Sequence, residues 1–308
     1  MQAGSNILHP SRLLRACRRW LAMVLLGCPL LAIAQTGAND PARYRPEPQR
    51  VAFKGPDGST LQLTGMFWRP PQGEGPFPLV VLSHGSDAEA AGRRRMTVLG
   101  YWNAARYFLN RGFAVLYVLR PSYGDSEGPY LEANVGNCNS LDYGPGFEAM
   151  ADVIAASLAH ARSLPQLDLT RLVLVGHSAG GAASIAMAAR RPAGLVTYIN
   201  FGGGKGGSEQ TPYSPCSAGN VEKHFSAYAR STDVPALWLY AQNDLYFGRD
   251  VAPRWHAAYQ AAGGRAQLVM TEPAPDDKAG HHIVQQHLPL WIPAADSFLR
   301  QQGFQWGR

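Results

Sequence analysis

The stretch RLVLVGHSAGG, Arg171–Gly181, decides the fold, because it joins a run of aliphatic residues directly to a serine that stands between glycines. Gly176, Ser178 and Gly180 form the G-x-S-x-G pattern of a nucleophile elbow, a sharp turn between a buried strand and a helix. We predict that Ser178 is a nucleophile. We also predict that the amide of Ala179, at the positive end of the helix, donates a hydrogen bond to a developing oxyanion. The alternative is an ordinary glycine-rich turn with a capping serine.

Short apolar runs and helical periodicities surround this stretch. Six runs without polar alternation are typical of strands covered on both faces: Leu79–Ser83, Ala114–Leu119, Leu172–Gly176, Leu195–Asn200, Ala236–Ala241 and Gln267–Thr271. Val51–Phe53 and Leu61–Phe67 precede them as an antiparallel hairpin. Helical patterns lie between these runs and after the last one, at Val98–Leu109, Phe147–Leu158, Ala182–Arg191, Trp255–Tyr259 and Leu288–Leu299. This order predicts an α/β fold with a mostly parallel sheet, an N-terminal antiparallel hairpin and helices on both faces.

Two connections are longer than packing requires, Arg120–Gly146 and Phe201–Asp233. Loops of such length in a compact domain usually carry function, and we expect these two to form a small cap. One cysteine lies in each, Cys138 in the first and Cys216 in the second. The glycine-rich stretch GGGKGG, Gly202–Gly207, is expected to form a flexible lip and not a phosphate cradle, because Lys205 is followed by glycine.

The first 34 residues have the three-part pattern of a secretory signal peptide. Arginines precede the apolar run Leu21–Ala34, which ends in Ala-Ile-Ala before Gln35. Cleavage near Ala34/Gln35 would leave an exposed leader over 35–50 and one domain over 51–308. An uncleaved anchor is the alternative, although the run is shorter than the roughly twenty residues of a spanning helix. Lipidation at Cys28 also stays open. The mature chain is expected to be exported, periplasmic or secreted, with no stable membrane insertion.

Charge and cysteine usage follow from this processing. The net charge of +6 falls to +2 without the four arginines of the signal segment, which argues against a nucleic-acid partner. Cys138 and Cys216 are the two cysteines left for an oxidising compartment, and we predict that they form a disulfide. Two buried free thiols are the alternative. No spacing typical of a metal site is present, and we expect no metal.

The elbow motif, with a strand before it and a helix after it, resembles the α/β-hydrolase superfamily. Within that superfamily the chain is most similar to secreted relatives of the dienelactone-hydrolase group, many of which are serine esterases. The resemblance covers about Val51–Phe304 and implies the chain order Ser, Asp, His. Asp244, just after the strand ALWLYA, is in the position of the acid, with Asp233 and Asp250 as rivals. His281, directly after Gly280, is in the position of the base, and His282 is its alternative.

The same resemblance implies an oxyanion turn and a supporting loop. SHGS, residues 83–86, resembles the His-Gly-x turn of these hydrolases, so the amide of Ser86 is the second predicted oxyanion donor. RPSYGDSEG, residues 120–128, resembles the loop that shapes the substrate site. His84 is expected to support the oxyanion turn, and Arg120 and Tyr123 are supporting candidates. His84 and Tyr123 are also expected on the substrate-binding side. Dienelactone hydrolases proper have cysteine as the nucleophile, so their lactone substrate is not implied here.

The sequence thus predicts a cofactor-independent serine esterase with a Ser178–His281–Asp244 triad, an acyl-enzyme intermediate and a small-molecule ester substrate. Two alternatives stay open. One is a peptidase of the prolyl-peptidase type on the same fold, and the other is a non-catalytic binding module that kept the fold.

Overall fold

The computed structural model describes residues 40–133, 136–276 and 279–307. These residues form one eight-stranded sheet in the order β1-β2-β4-β3-β5-β6-β7-β8. The strands are β1 (Glu47–Lys54), β2 (Thr60–Trp68), β3 (Phe77–Ser83), β4 (Ala114–Val118), β5 (Leu167–His177), β6 (Leu195–Phe201), β7 (Ala236–Ala241) and β8 (Ala266–Thr271).

The direction of the strands agrees with the sequence prediction. β1 and β2 pair in antiparallel fashion, β2 pairs with β4 in the same way, and all other neighbours are parallel. β3, β4, β6 and β7 are almost continuously apolar, because helices cover both faces of the sheet. The carboxyl ends of β3, β5, β6, β7 and β8 consequently meet at one edge of the sheet. Loops that follow these strands can place side chains from distant parts of the chain close together.

Eight α-helices are found in the described part of the chain: α1 (Ala90–Arg95), α2 (Trp102–Leu109), α3 (Gly144–Ala161), α4 (Ala179–Ala189), α5 (Ala218–Ala229), α6 (Val251–Ala261), α7 (Ile283–Gln286) and α8 (Leu288–Gln301). Short 3-10 helices lie at Pro41–Tyr44 and Ala279–His282. Side chains of α3, α4, α5 and α6 fill the core on one face of the sheet. Those of α2, α7 and α8 fill the core on the other face, which confirms the prediction of helices on both faces of the sheet.

The second long connection is only partly a loop, which differs from the sequence prediction. Its second half is α5, whose residues Val221, Phe225 and Ala229 are buried in the core. Their spacing of four residues is a helical signal. That signal is short and follows a segment rich in glycine, serine and proline. The sequence alone therefore predicts a cap over the whole connection.

The beginning of the domain also differs from the prediction. The expected leader, 35–50, overlaps structured residues, because Tyr44 is buried and β1 starts at Glu47. The expected signal peptide, residues 1–34, and Cys28 lie outside the described residues. No helix in the described part of the chain combines the length and the hydropathy needed to cross a membrane.

A disulfide joins the two long connections, as predicted. Cys138 in the first is bonded to Cys216 in the second, 78 residues later. Hydrogen bonds reinforce the junction: Ser217 Oγ donates to the carbonyl of Cys138 at 2.7 Å, and the Tyr143 hydroxyl donates to the carbonyl of Cys216 at 2.7 Å. The two connections thus form one cross-linked cap at the carboxyl edge of the sheet.

Candidate active site

Ser178 occupies a strained turn between β5 and α4. Its φ of 56° and ψ of −124° lie in a region that L-residues rarely adopt, at a cost on the order of 1–3 kcal/mol. The neighbouring strand holds the turn in place, since the Ser178 amide donates to the carbonyl of Phe201 at 2.9 Å. The carbonyl of Ser178 in turn accepts from the amide of Gly204 at 3.2 Å. The serine is therefore fixed by main-chain bonds to the segment that follows β6.

Glycines allow the close approach that this turn requires. A β-carbon at Gly176 would lie 2.0 Å from the carbonyl oxygen of Gly180. No side chain fits there, so β5 and α4 can approach each other only with glycine at the first position. The spacing of the motif thus reflects a packing requirement of the strand–helix corner.

Asp244 and His281 form a buried pair beside this turn. Asp244 follows β7, is fully buried, and accepts hydrogen bonds at Oδ1 from the amides of Tyr246 (2.8 Å) and Phe247 (3.2 Å). His281 Nδ1 lies 3.0 Å from both carboxyl oxygens of Asp244. A carboxylate accepts hydrogen bonds and does not donate them. Nδ1 of His281 consequently carries the hydrogen, and Nε2 keeps a lone pair with which it can accept a proton.

The position of His281 depends on its neighbours. Tyr246 stacks on its imidazole, with ring centroids 4.1 Å apart and an interplanar angle of 13°. Gly280 lets the 3-10 helix approach the turn after β7, because a β-carbon there would lie 2.5 Å from the carbonyl oxygen of Asn243. The Gly-His pair therefore serves a steric purpose: it brings the imidazole within hydrogen-bonding distance of Asp244.

Two contacts connect this pair to the serine turn. Gly202, next to Phe201, faces the pair, and a β-carbon built on it would lie 3.2 Å from Asp244 Oδ2 and 3.3 Å from His281 Nδ1. His177, next to Ser178, contacts the carbonyl of His281 through Nε2 at 2.7 Å. Ser178, Asp244 and His281 are thus gathered at the carboxyl ends of neighbouring strands.

The rival acids and the rival base are placed differently. Asp233 is paired with Arg191 on the surface and is 74% exposed, and Asp250 is exposed just before α6. The ring of His282 lies 5.4 Å from that of His281, and burial lowers its pKa. Of the two adjacent histidines, His281 is the one that hydrogen-bonds to Asp244.

Arg120 holds the turn after β3 by hydrogen bonds to its main chain. The guanidinium donates to the carbonyl oxygens of His84 (Nη1, 2.6 Å) and Gly85 (Nη2, 3.0 Å). In a trans peptide the carbonyl and the following amide point in opposite directions. The amide of Ser86 therefore points away from Arg120. That amide makes no hydrogen bond to any residue that the structure describes.

A second contact fixes the same peptide plane. The amide of Arg120 donates to His84 Nε2 at 3.0 Å, so the ring hydrogen of His84 is on Nδ1. Nδ1 donates to the carbonyl of Gly85 at 2.8 Å. Burial, and next the charge of Arg120, hold the pKa of His84 well below its ordinary value of 6.5. A neutral imidazole thus supports the turn together with the guanidinium.

An ion cluster lies beside the turn. Glu132, from the first long connection, accepts from Arg120 Nε at 2.5 Å and also from the Ser86 hydroxyl. Lys205 Nζ donates to Ser86 Oγ at 2.9 Å and lies 3.6 Å from Glu132 Oε2. Burial alone would raise the pKa of the Glu132 carboxyl, but Arg120 and Lys205 outweigh it and lower that pKa to about 2. Glu132 and Lys205 thus both hold the side chain of Ser86.

Two predicted substrate-binding residues have a different position. His84 and Tyr123 are both fully buried beneath the turn. Tyr123 donates to Glu132 at 3.2 Å and accepts from the amide of Asp87 at 3.1 Å. Neither side chain reaches a surface that a substrate could contact, so both support the turn and do not bind substrate in this conformation.

Sequence reasoning missed Glu132 and Lys205. Lys205 is 9% exposed and ion-paired, so the expected flexible lip is anchored at this residue. Glu132 carries no local motif, and its importance follows from partners at positions 86, 120, 123 and 205. Within the described ranges, no group of three or more His, Cys, Asp or Glu is arranged to hold a metal ion.

Replacing Glu132 tests the importance of the ion cluster for stability. Glu132→Gln leaves the buried charges of Arg120 and Lys205 without a counter-charge, so we expect the free energy of unfolding at pH 7 to fall by about 3–5 kcal/mol. Because the folded pKa of Glu132 is depressed, its contribution is present above the ordinary pKa of 4.5 and is lost as the pH falls towards 2. The difference between wild type and variant should therefore narrow as urea titrations are moved from pH 7 to about pH 3.

Glu148→Gln is the matched control, because Glu148 pairs with Arg190 at the surface and is 45% exposed. We expect this variant to lose less than about 1 kcal/mol. Equal losses for the two variants, or a Glu132→Gln loss that does not change with pH, would contradict the assignment of a buried charge cluster.

Comparison with known proteins identifies the fold. No protein-family model matches the sequence. The quorum-quenching protein AidA of Acinetobacter baumannii is 29% identical over 147 residues, which are 47% of this chain and 42% of that protein. The chain thus matches less than half the length of this curated relative.

Solved structures match over a larger part of the chain. An esterase of Pyrococcus furiosus is similar with a TM-score of 0.57 at 14% identity, over 85% of this chain and 93% of the esterase. An acylaminoacyl peptidase of Pyrococcus horikoshii is similar with a TM-score of 0.57 at 15% identity, over 85% of this chain and 43% of the peptidase. The strand order and these likenesses show that the chain has the fold of the α/β-hydrolase superfamily.

Proposed function

We propose that the protein is a serine hydrolase that cleaves carboxylic esters of small molecules, with Ser178 as nucleophile, His281 as general base and Asp244 as the acid that orients the base. The observation that carries the proposal is the buried Asp244–His281 pair, with Nδ1 at 3.0 Å from both carboxyl oxygens, beside a serine in a strained strand–helix turn. Hydrolase activity on this fold is also supported by the esterase and peptidase neighbours.

The chemistry follows from the protonation of the imidazole. Ser178 Oγ attacks the ester carbonyl while His281 Nε2 removes the hydroxyl proton, and Asp244 stabilises the imidazolium that forms. The tetrahedral intermediate expels the alcohol, which takes the proton from Nε2, and an acyl-serine ester is left. Water then attacks the acyl group while His281 again acts as the base. The carboxylic acid product is released, and Ser178 regains its proton.

The amides of Ser86 and Ala179 are the proposed oxyanion donors. Arg120 turns the peptide plane so that the Ser86 amide faces away from the guanidinium. Ala179 is the first residue of α4, so its amide has no acceptor within the helix and lies at the positive end of the helix dipole. Donors fixed in this way need not reorganise when the negative charge develops.

One finer assignment and two alternatives stay predictions. The similarity to dienelactone-hydrolase relatives is supported by the sequence motifs alone. A peptidase of the prolyl-peptidase type uses the same triad chemistry, and the likeness to the acylaminoacyl peptidase makes it the second candidate. A binding module without activity would have the same fold. Turnover of esters and anilides, together with covalent labelling, distinguishes the esterase, the peptidase and the binding module.

Kinetics with p-nitrophenyl esters of increasing chain length, together with aminoacyl-proline anilides, test the proposal. We expect the wild type to hydrolyse the short esters faster than the anilides. Ser178→Ala should lose at least about a thousandfold in kcat, because it removes the nucleophile of a cooperative triad. Ser163→Ala is the control, since Ser163 Oγ only donates to the carbonyl of His160 at the exposed end of α3.

Labelling provides a second readout. A fluorophosphonate should add one adduct to the peptide that contains Ser178 and none to the Ser178→Ala variant. Faster anilide turnover would favour the peptidase. Absence of both adduct and turnover in the folded wild type would favour the binding module and contradict the proposal.

We further propose that the chain is exported and loses residues 1–34. The Cys138–Cys216 disulfide supports an oxidising compartment. N-terminal sequencing of the protein recovered outside the cytoplasm should start at Gln35, and the unfolded mature protein should titrate no free thiol without reductant. A chain that begins at Met1, or two titratable thiols, would contradict this proposal.

A further inference from the structure

We propose that His177, the residue before the nucleophile, is a positioning residue that couples the oxyanion turn to the main chain of the catalytic base through Tyr101. This inference rests on the proposed function, because it assigns a role within the same site. His177 carries no role in the motif itself, and its side chain is 5% exposed.

A continuous chain of hydrogen bonds runs through these residues. The amide of Gly85 donates to the Tyr101 hydroxyl at 2.9 Å. The Tyr101 hydroxyl lies 2.6 Å from His177 Nδ1, and His177 Nε2 lies 2.7 Å from the carbonyl oxygen of His281. The chain thus begins one residue before Ser86, the proposed oxyanion donor, and ends on the main chain of the proposed base.

The partners at the two ends fix the position of every proton. A carbonyl oxygen only accepts, so His177 Nε2 must carry the ring hydrogen. In the neutral ring Nδ1 is then the acceptor, and Tyr101 donates its hydroxyl hydrogen to it. The Tyr101 oxygen uses a lone pair to accept from the amide of Gly85. One arrangement therefore satisfies all three groups, and a protonated His177 would leave the Tyr101 hydrogen without this acceptor.

The surroundings favour that neutral arrangement. Burial, followed by the proximity of His281 and His282, lowers the pKa of His177 well below its ordinary value of 6.5. Burial likewise raises the pKa of Tyr101 to about 12. His177 therefore stays neutral and Tyr101 keeps its hydroxyl hydrogen over the neutral range. Hydrogen bonds between buried groups are costly to break.

The topology explains why such a coupling is useful. Gly85 follows β3, His177 ends β5, and His281 lies beyond β8, so the three come from separate parts of the sheet edge. Ser178, the proposed nucleophile, directly follows His177 at the end of β5. His177 can therefore hold the base and the oxyanion turn at fixed distances from Ser178, and displacements of about 1 Å in such a constellation can lower turnover by about a hundredfold.

Four variants distinguish positioning from mere packing. His177→Leu removes both hydrogen bonds and keeps an apolar side chain, whereas His177→Gln offers one acceptor and one donor. Tyr101→Phe removes a single hydroxyl. Tyr198→Phe is the matched control, since the Tyr198 hydroxyl is also fully buried and donates to Tyr259 at 2.8 Å in the core on the other face of the sheet.

The readouts are kcat, KM, the rate of fluorophosphonate labelling and the melting temperature. We expect His177→Leu and Tyr101→Phe to lower kcat by at least about tenfold with KM within about threefold, and His177→Gln to restore most of the His177→Leu loss. Tyr198→Phe should keep kcat within about twofold at a similar loss of melting temperature.

The outcomes separate this inference from the proposed function. If His177→Leu does not fold, the comparison of Tyr101→Phe with Tyr198→Phe decides the question. Equal kcat for those two variants, or a His177→Gln enzyme no faster than a folded His177→Leu enzyme, would overturn the role of His177 while the active wild type still supports the esterase. A wild type with no turnover and no adduct would overturn both.

Discussion

The backbone of Ser178 is held in a conformation that an isolated chain would avoid, and the site is arranged around that turn. The strain costs on the order of 1–3 kcal/mol and persists because main-chain bonds over-determine the geometry. The amide of Ser178 is bonded to Phe201, and its carbonyl accepts from Gly181, Ala182 and Gly204. Since Gly202 in the same segment faces Asp244 and His281, the turn also sets the position of Ser178 relative to these two residues.

His84 and His177, both buried beneath the site, have a hydrogen-bond partner at each ring nitrogen, and these partners determine where each ring proton is. His84 carries its hydrogen on Nδ1 and supports the carbonyl of Gly85, whereas His177 carries its hydrogen on Nε2 and reaches the amide of Gly85 through Tyr101. The peptide groups on both sides of Gly85 are thus held by opposite tautomers. In an interior of low dielectric constant such saturated networks are stiff, because an unpaired group would be costly.

The cap adds charged partners to this neutral framework. Glu132 comes from one long connection and Lys205 from the other, and both bind the side chain of Ser86. The disulfide joins the same two connections. The turn after β3, which carries the proposed oxyanion donor Ser86, is therefore supported by Arg120 and by the cap, so its geometry depends on segments that are far apart in sequence.

Features with a local signal could be predicted from the sequence. Apolar runs located the eight strands, and the Ser178 motif located the elbow, because both follow from short-range packing. The missed features depend on long-range pairing. α5 has only a short periodic core face within a glycine- and serine-rich connection. The roles of Glu132, Lys205 and Tyr101 depend on contacts with Ser86 or Gly85, which are 16 to 119 residues away. The sequence does not show that His84 and Tyr123 are buried beneath the turn, since a motif gives sequence proximity to a site and not the direction of a side chain.

A crystal structure of the protein after reaction with a phosphonate ester tests the central claim most directly. The account predicts continuous density from phosphorus to Ser178 Oγ, one phosphonyl oxygen within hydrogen-bonding distance of the amides of Ser86 and Ala179, and His281 Nε2 facing the serine. Density at another residue, or a Ser178 adduct whose oxygen points away from both amides, would contradict it.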